Sequence, residues 1–251
     1  MGLGEIVSIA VAGLAAGTIN TVVGSGTLIT FPVLLAFGYA PVTANVSNTI
    51  GLVPGSVSGA IGYRRELVGQ RRRVLRLGAM SVLGGITGAV LLLVLPASAF
   101  KAVVPVFIAG ALVLTVLQPR LSLWLVKREI DFERRGAILV PLAVYVTGVY
   151  GGYFGAAQGI LLLAILGVAL AQDLHRVNAL KNVLAGLVNG VAGVYFMIAA
   201  HVEWGPAGII AGASIVGAQL GARYGRRLPP SVLRAIIVVV SVFAIVRLLT
   251  E

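Results

Sequence analysis

Ten apolar stretches follow one another along this chain, and they restrict its fold more than any other feature. They cover approximately residues 3–22, 26–37, 43–62, 77–95, 101–118, 136–153, 159–170, 177–200, 206–222 and 232–249. A helix needs about 20 apolar residues to cross a hydrocarbon core about 30 Å thick. The composition agrees, because 59% of the residues are hydrophobic and 11% are charged, against about 25% charged in soluble domains. We therefore predict an all-α polytopic membrane protein with about 8–10 membrane segments.

The net charge of +11 arises largely in three short loops between apolar stretches, at 63–76, 119–135 and 223–230. Basic residues in short loops mark the cytoplasmic side of a membrane protein. We therefore expect all three loops to be cytoplasmic, in a multi-pass protein of the cytoplasmic membrane. The same residues are suited to contact anionic lipid headgroups of the surrounding bilayer, and no nucleic-acid partner is expected.

Several kinds of chemistry lack the residues that they require. The chain has no cysteine, which excludes disulfides, iron–sulfur clusters and thiol catalysis, and its two histidines, His175 and His201, lie far apart in the sequence. The HExxH and GxSxG motifs and paired intramembrane carboxylates are also missing. We therefore predict no catalytic residue, no metal site, no cofactor and no enzymatic activity.

The second half of the sequence repeats the first at an offset of 133 residues. The matching pairs include Gly26 and Gly159, Asn45 and Asn178, Ser81 and Ser214, Gly84 and Gly217, Gly88 and Gly221, and Pro96 and Pro229. The hairpin tip at Pro96 is expected outside, whereas its mate Pro229 lies in a basic, inside loop. The copies therefore run in opposite directions across the membrane. We predict a first repeat at 1–118, a cytoplasmic basic linker at 119–135 and an inverted second repeat at 136–251.

Glycines interrupt the apolar sequence at matching places in both copies. The first break is Gly24-Ser25-Gly26, and the second lies between Gly155 and Gly159. Unwound backbone at membrane depth is tolerated where protein or a water-filled cavity supplies hydrogen-bond partners. We therefore predict that each repeat is a broken or re-entrant helical hairpin followed by three transmembrane helices, with a binding site at the breaks.

A different role is predicted for the glycines that are four residues apart in each copy. Gly84 and Gly88 in the first copy match Gly217 and Gly221 in the second. Small residues at this spacing let transmembrane helices approach closely, so we predict that these glycines serve helix packing.

A polar stripe on one helical face follows each break. Its members are Asn45, Asn48, Thr49 and Ser56 in the first copy, and Asn178, Lys181, Asn182 and Asn189 in the second. Interhelical hydrogen bonds would account for one or two amides. Eight aligned polar positions favour a substrate pathway that faces the breaks.

Lys181 is the basic residue that the repeat places inside an apolar segment, and no acidic residue of the chain is placed there with it. One interpretation is that Lys181 binds an anionic ligand. The alternative is that its side chain reaches the cytoplasmic interface. Amides, hydroxyls, free backbone N–H groups and one cation favour an oxyanion over a metal ion. The predicted substrate-binding residues are Asn20, Gly24, Ser25, Gly26, Thr27, Asn45, Asn48, Thr49, Gln158, Gly159, Asn178, Lys181 and Asn182.

The same regions resemble the sulfite exporter TauE/SafE family of membrane permeases, essentially over the whole chain. The motifs are AGTINTVVGSGTLITFPVLLAFGY (16–39), ANVSNTIGLVPGS (44–56), YGGYFGAAQGILLLAILG (150–167) and NALKN (178–182). The resemblance implies transport of sulfite, sulfonates or other small organic or sulfur-containing anions. Many relatives have an Asp where this chain has Asn20, so a carboxylate for cation coupling is missing at that position.

The leading hypothesis is a secondary transporter that moves a small sulfur oxyanion or organosulfonate by alternating access around a site between the repeats. The alternatives are an anion-selective channel, which the lack of a coupling carboxylate favours, and a carrier for a non-sulfur organic anion. A membrane scaffold would not explain two matched polar stripes. A homodimer is left open by the sequence.

Overall fold

The computed structural model describes residues 1–126, 132–170, 172–224 and 237–239, and every regular element within them is helical. The long helices are α1 (Leu3–Val22), α2 (Thr27–Ala36), α3 (Pro41–Gly62), α4 (Arg71–Val94), α5 (Ala97–Val126), α6 (Phe132–Tyr153), α7 (Gln158–Ala169), α8 (Leu174–Ala199) and α9 (Trp204–Tyr224). A short 3-10 helix, Arg64–Leu67, links α3 to α4. The all-helical prediction is confirmed for these residues. The predicted apolar stretch at 232–249 lies outside the described residues, except for 237–239.

Helix length and composition fit a membrane. Within the described ranges, five helical segments are long and apolar enough to cross one: α1, α4, the Ala97–Leu117 part of α5, α8 and α9. Three apolar segments, α2, α7 and Ile138–Tyr153 of α6, are shorter. Large apolar side chains such as Val11 and Ile198 lie exposed on the outer surface, where lipid would solvate them.

The helix boundaries also bear on the region between the two copies. α5 continues to Val126 and α6 begins at Phe132. Helical structure therefore extends from both sides into the 119–135 segment that the sequence analysis assigned to a linker.

Helices of one half pack mainly on helices of the other. α1 lies against α9, and α4 lies against α6. Since the repeat matches α1 with α6 and α4 with α9, these two pairs are counterparts. The contact of α3 with α9 and that of α8 with α4 are counterparts in the same way. α3 and α8, which match each other, pack on each other. The interface is therefore built twice from matching parts.

Glycines allow the helices to pack closely in two matching interfaces, α1 with α9 and α4 with α6. A Cβ atom at Gly217 would lie 2.0 Å from the carbonyl oxygen of Leu14, and one at Gly84 would lie 2.3 Å from that of Tyr145. One turn further along, a Cβ atom at Gly221 would lie 2.7 Å from the carbonyl oxygen of Thr18, and one at Gly88 would lie 2.0 Å from that of Val149. Any side chain at these four positions would separate the helices, so the predicted packing role is confirmed.

Candidate functional site

Both predicted breaks are present, and they have the same backbone design. α1 ends at Val22, and Gly24 has a φ of +91°. α6 ends at Tyr153, and Gly155 has a φ of +76°. The N–H of Gly24 donates to Ile19 O at 3.0 Å, and that of Gly155 donates to Tyr150 O at 3.1 Å. This six-to-one bond closes a helix end, and glycine adopts the left-handed conformation there without a Cβ penalty.

The two breaks touch each other through their backbones. The N–H of Gly159, in the first turn of α7, donates to the carbonyl oxygen of Gly24 at 3.1 Å. A Cβ atom on Gly24 would lie 2.4 Å from the Cα of Gly159. The contact therefore requires glycine on both sides, and it brings together four helix ends: those of α1, α2, α6 and α7.

Side chains of α8 hold the first break. Asn178 and Asn182 donate their amide groups to Thr21 O at 3.1 and 3.2 Å. The Lys181 ammonium donates to Asn20 O at 2.9 Å and to Thr21 O at 3.3 Å. The last carbonyls of a helix have no partner within it and form the negative end of its dipole, so amides and a cation stabilise them.

The burial of Lys181 excludes one of the two interpretations of its side chain. It is fully buried, and its ammonium lies against the end of α1. The alternative in which Lys181 reaches the membrane interface is therefore wrong. An ammonium has three N–H donors, and the two carbonyl contacts occupy two of them.

α3 holds the second break in a corresponding but weaker way. Asn45, which matches Asn178, donates its amide to Tyr153 O at 3.0 Å. The hydroxyl of Tyr150 donates to Ala156 O at 2.5 Å within the break itself. Phe154 follows Tyr153 and makes an edge-to-face contact with Phe31 at 5.2 Å between ring centroids. The second break is thus enclosed by aromatic rings, which pack favourably in this geometry.

Hydrogen bonds among three polar side chains join α2 to α3. Asn48, the counterpart of Lys181, donates to Thr27 Oγ1 at 3.4 Å and accepts a hydrogen bond from Thr30 Oγ1. Thr30 was missed by the sequence analysis, although it lies one turn after Thr27 in the same run of hydroxyl residues. The carbonyl oxygens of Thr21 and Tyr153 were also missed, because a backbone acceptor leaves no signal in the sequence.

Four buried polar atoms at the breaks have no hydrogen-bond partner among the described residues. They are Ser25 Oγ, Asn45 Oδ1, Gln158 Nε2 and Asn178 Oδ1. All four side chains are more than nine-tenths buried. An unpaired polar atom in the interior costs free energy, so these four atoms are available for hydrogen bonds to a ligand or to water.

The contact between Gly24 and Gly159 forms the junction of the two breaks, and the remaining predicted residues lie around it. Asn20 contributes its backbone oxygen. A Cβ atom at Gly26 would lie 2.6 Å from Ala16 O, so this glycine lets the chain pass close to α1. Thr49 is buried on α3 beside Asn48. The structure therefore brings the predicted residues of both halves to one region, around the Gly24 and Gly159 contact.

Comparison with known proteins finds relatives over nearly the whole chain. The sequence profile of the family described as sulfite exporter TauE/SafE matches residues 9–248. The chain is 29% identical to the probable membrane transporter protein YfcA of Escherichia coli (strain K12), over 95% of this chain and 87% of that protein. It is 28% identical to the probable membrane transporter protein ORF9 of Sinorhizobium sp, over 96% of this chain and 91% of that protein.

A probable membrane transporter protein of Haemophilus influenzae is 24% identical over 91% of this chain and 88% of its own length. No solved structure matches the chain. The relatives and the apolar helices agree on a multi-pass membrane protein. The match over nearly the full length shows that the chain belongs to the sulfite exporter TauE/SafE family of membrane transporters.

Proposed function

We propose that this protein is a secondary transporter that moves a small anion by alternating access around the junction of its two helix breaks. The observation that carries the proposal is the contact between Gly24 and Gly159, set among buried polar atoms without partners. Paired breaks at corresponding places in two repeats are typical of transporter binding sites.

The charge of the junction supports an anionic substrate. Among the described Asp, Glu, Lys, Arg and His side chains, Lys181 is the buried one. One of its three donors remains for a ligand after the contacts to Asn20 and Thr21. Ser25 and Gln158 add a hydroxyl and an amide without partners. These groups suit the oxygens of an oxyanion.

The pattern of packing supports two inverted repeats. The α1 and α9 contact has its counterpart in α6 and α4. Ser56 and Asn189, which match in the repeat, form a hydrogen bond of 3.3 Å. Equivalent residues meet close to the axis that relates two copies. With the basic loops on one side, this axis would run in the plane of the membrane, as it does in transporters built from inverted-topology repeats.

The substrate class comes from the family, whose description names sulfite. We propose sulfite, an organosulfonate or a related sulfur oxyanion. The first experiment is binding of sulfite, sulfate, thiosulfate, sulfoacetate and simple carboxylates to the detergent-purified protein, followed by thermal unfolding. A rise of the unfolding temperature with one anion class would identify the substrate, and no rise with any of them would contradict the proposal.

Transport in liposomes separates the carrier from its alternatives. A carrier exchanges labelled for unlabelled anion, so counterflow should be saturable. Large single-channel currents would instead show an anion channel, and counterflow with carboxylates alone would show a carrier for non-sulfur organic anions.

The predicted topology has its own test in this cysteine-free chain. Single cysteines at Gly2 and Val68 are suitable, because both positions are exposed. We expect an impermeant maleimide to label Gly2→Cys in whole cells but not Val68→Cys, since the basic loop at 63–76 should be cytoplasmic. The N-terminal helical hairpin should begin and end outside, because an odd number of crossings separates it from the next basic loop, and equal labelling of the two cysteines would contradict this.

A further inference from the structure

The orientation of two buried amides is fixed by their backbone partners. Asn45 donates to Tyr153 O, and Asn178 donates to Thr21 O. A carbonyl oxygen can only accept a hydrogen bond, so in each case the NH₂ group must face it. The side-chain oxygen of each asparagine is therefore the atom turned away from the helix end, and a flipped amide would lose its contact.

Both of these oxygens are buried and have no donor among the described residues. Asn45 and Asn178 occupy matching positions of the two halves, so each break carries one such acceptor. A bound oxyanion that lacks hydrogen-bond donors would bring only further acceptors to this region. Unless water molecules entered with the anion, the two asparagine oxygens would then stay unpaired, at the full cost of a buried acceptor.

The remaining groups without partners at the junction can act as hydrogen-bond donors. Ser25 and the third N–H of Lys181 can donate to a ligand, and they suit the negatively charged oxygens of a substrate. The junction therefore offers hydrogen-bond donors for a charged head group and, separately, hydrogen-bond acceptors for O–H or N–H groups of the ligand.

From this division we infer that the substrate is a small oxyanion that also carries its own O–H or N–H donor, which Asn45 Oδ1 or Asn178 Oδ1 accepts. Hydroxy- or amino-substituted sulfonates and carboxylates, and singly protonated inorganic oxyanions, belong to this class. The inference rests on the proposed function, because it concerns the substrate of the same junction. It adds that a fully deprotonated anion without a donor is a poor ligand.

Matched anions test the inference on the purified full-length protein. 2-Hydroxyethanesulfonate and propane-1-sulfonate have equal numbers of heavy atoms and the same charge, but only the first has a donor. Lactate and butanoate form a second pair of this kind. We expect isothermal titration to show at least about tenfold tighter binding of the hydroxylated member in the pair whose head group is accepted, since a site with buried polar groups rejects a ligand that leaves them unpaired.

Two variants and one control locate the effect. Asn45→Leu and Asn178→Leu remove one acceptor each, so the preference for the hydroxylated anion should fall several-fold in the variant that loses the accepting oxygen. Gln70→Leu is the matched control, because Gln70 also donates its amide to a carbonyl oxygen, that of Arg176 at 3.1 Å, and also has a buried oxygen without a partner. Gln70 lies in the loop before α4 and outside the junction, so the preference should stay.

The outcomes are distinct. Equal binding of the hydroxylated and the plain anion to the wild-type protein overturns the inference and leaves anion transport standing. An unchanged preference in both Asn45→Leu and Asn178→Leu also overturns it. If neither sulfonates, carboxylates nor inorganic oxyanions bind, the proposed function itself fails. Should the variants not fold, the wild-type pairs still decide.

Discussion

The two breaks have one backbone design and two different environments. At each, a helix ends where the N–H of a glycine with positive φ donates a six-to-one hydrogen bond to a helix carbonyl. The first break is held by three side chains of α8, one of them a buried cation. The second is held by the Asn45 amide and is surrounded by aromatic rings. The difference shows that the two breaks share one backbone geometry while the side chains that surround them differ in chemistry.

Under the proposed function, this difference would give the two halves separate tasks in binding an anion. Lys181 supplies the positive charge at the first break, and its counterpart Asn48 is neutral and bonded to Thr27 and Thr30. An anion at the junction would therefore be attracted toward the α1 end. Aromatic rings make the surroundings of the second break apolar, and a low local dielectric strengthens charge interactions.

The largest effect is expected where the two breaks meet. Gly24→Ala forces a side chain into positive φ and against the Cα of Gly159, which would lie 2.4 Å from the new Cβ. Gly38→Ala is the matched control, because Gly38 has a φ of +87° with no atom within 4 Å of such a Cβ. We expect a loss of about 1–2 kcal/mol for the control from backbone conformation alone, and about 1–3 kcal/mol more for Gly24→Ala from overpacking.

Chemical unfolding of the two purified variants would measure this difference. Equal destabilisation by Gly24→Ala and Gly38→Ala would mean that the breaks do not touch in the folded protein.

The next largest effect concerns the charge that distinguishes the first break. Lys181→Gln keeps a donor for the carbonyls of Asn20 and Thr21 but removes the cation, so we expect the protein to fold and to bind its anion more weakly. A hydrogen bond to a charged group contributes about 1.5–3 kcal/mol, which corresponds to roughly ten- to a hundredfold in the dissociation constant. Direct binding titration measures it.

Lys101→Gln is the control for this substitution, since Lys101 is an exposed lysine on α5 and should leave the affinity unchanged. An unaltered affinity in Lys181→Gln would show that Lys181 only caps α1.

A direct comparison of the two breaks comes from Asn45→Ala and Asn178→Ala. Thr21 O keeps Lys181 and Asn182 as donors when Asn178 is lost, so we expect a loss near 0.6 kcal/mol, the average for interhelical hydrogen bonds in membranes. Asn45→Ala removes the side-chain donor of Tyr153 O, and an unpaired buried acceptor costs about 1–3 kcal/mol. Unfolding free energies of both variants would test the order, and a reversed order would contradict the weaker hold on the second break.

The smallest effect is expected where the halves are most alike. Ser56 and Asn189 are equivalent residues joined by one hydrogen bond of 3.3 Å between α3 and α8. A double-mutant cycle with Ser56→Ala and Asn189→Ala should give a coupling of about 0.6 kcal/mol. Zero coupling would indicate that these matching positions do not meet.

Much of the architecture follows from local sequence. The apolar stretch at 3–22 coincides with α1, because lipid requires a helix long enough to satisfy its own backbone. Gly24 and Gly155 mark the breaks because only glycine adopts a positive φ at little cost. The pairs of glycines on α4 and α9 identify closely packed helices for the same reason, the absence of a Cβ.

The sequence also indicated several residues that gather at the junction, since the repeat pairs Asn45 with Asn178 and Asn48 with Lys181, but it did not indicate Thr30. Only the tertiary structure decided what their side chains do. The partners of Asn45, Asn178 and Lys181 are carbonyl oxygens of Tyr153, Thr21 and Asn20, more than 100 residues away along the chain. Every residue has a carbonyl, so the sequence cannot indicate which ones a helix end leaves free beside α3 or α8. The burial of Lys181 follows from that placement, because the end of α1 offers it acceptors that the membrane interface would otherwise provide.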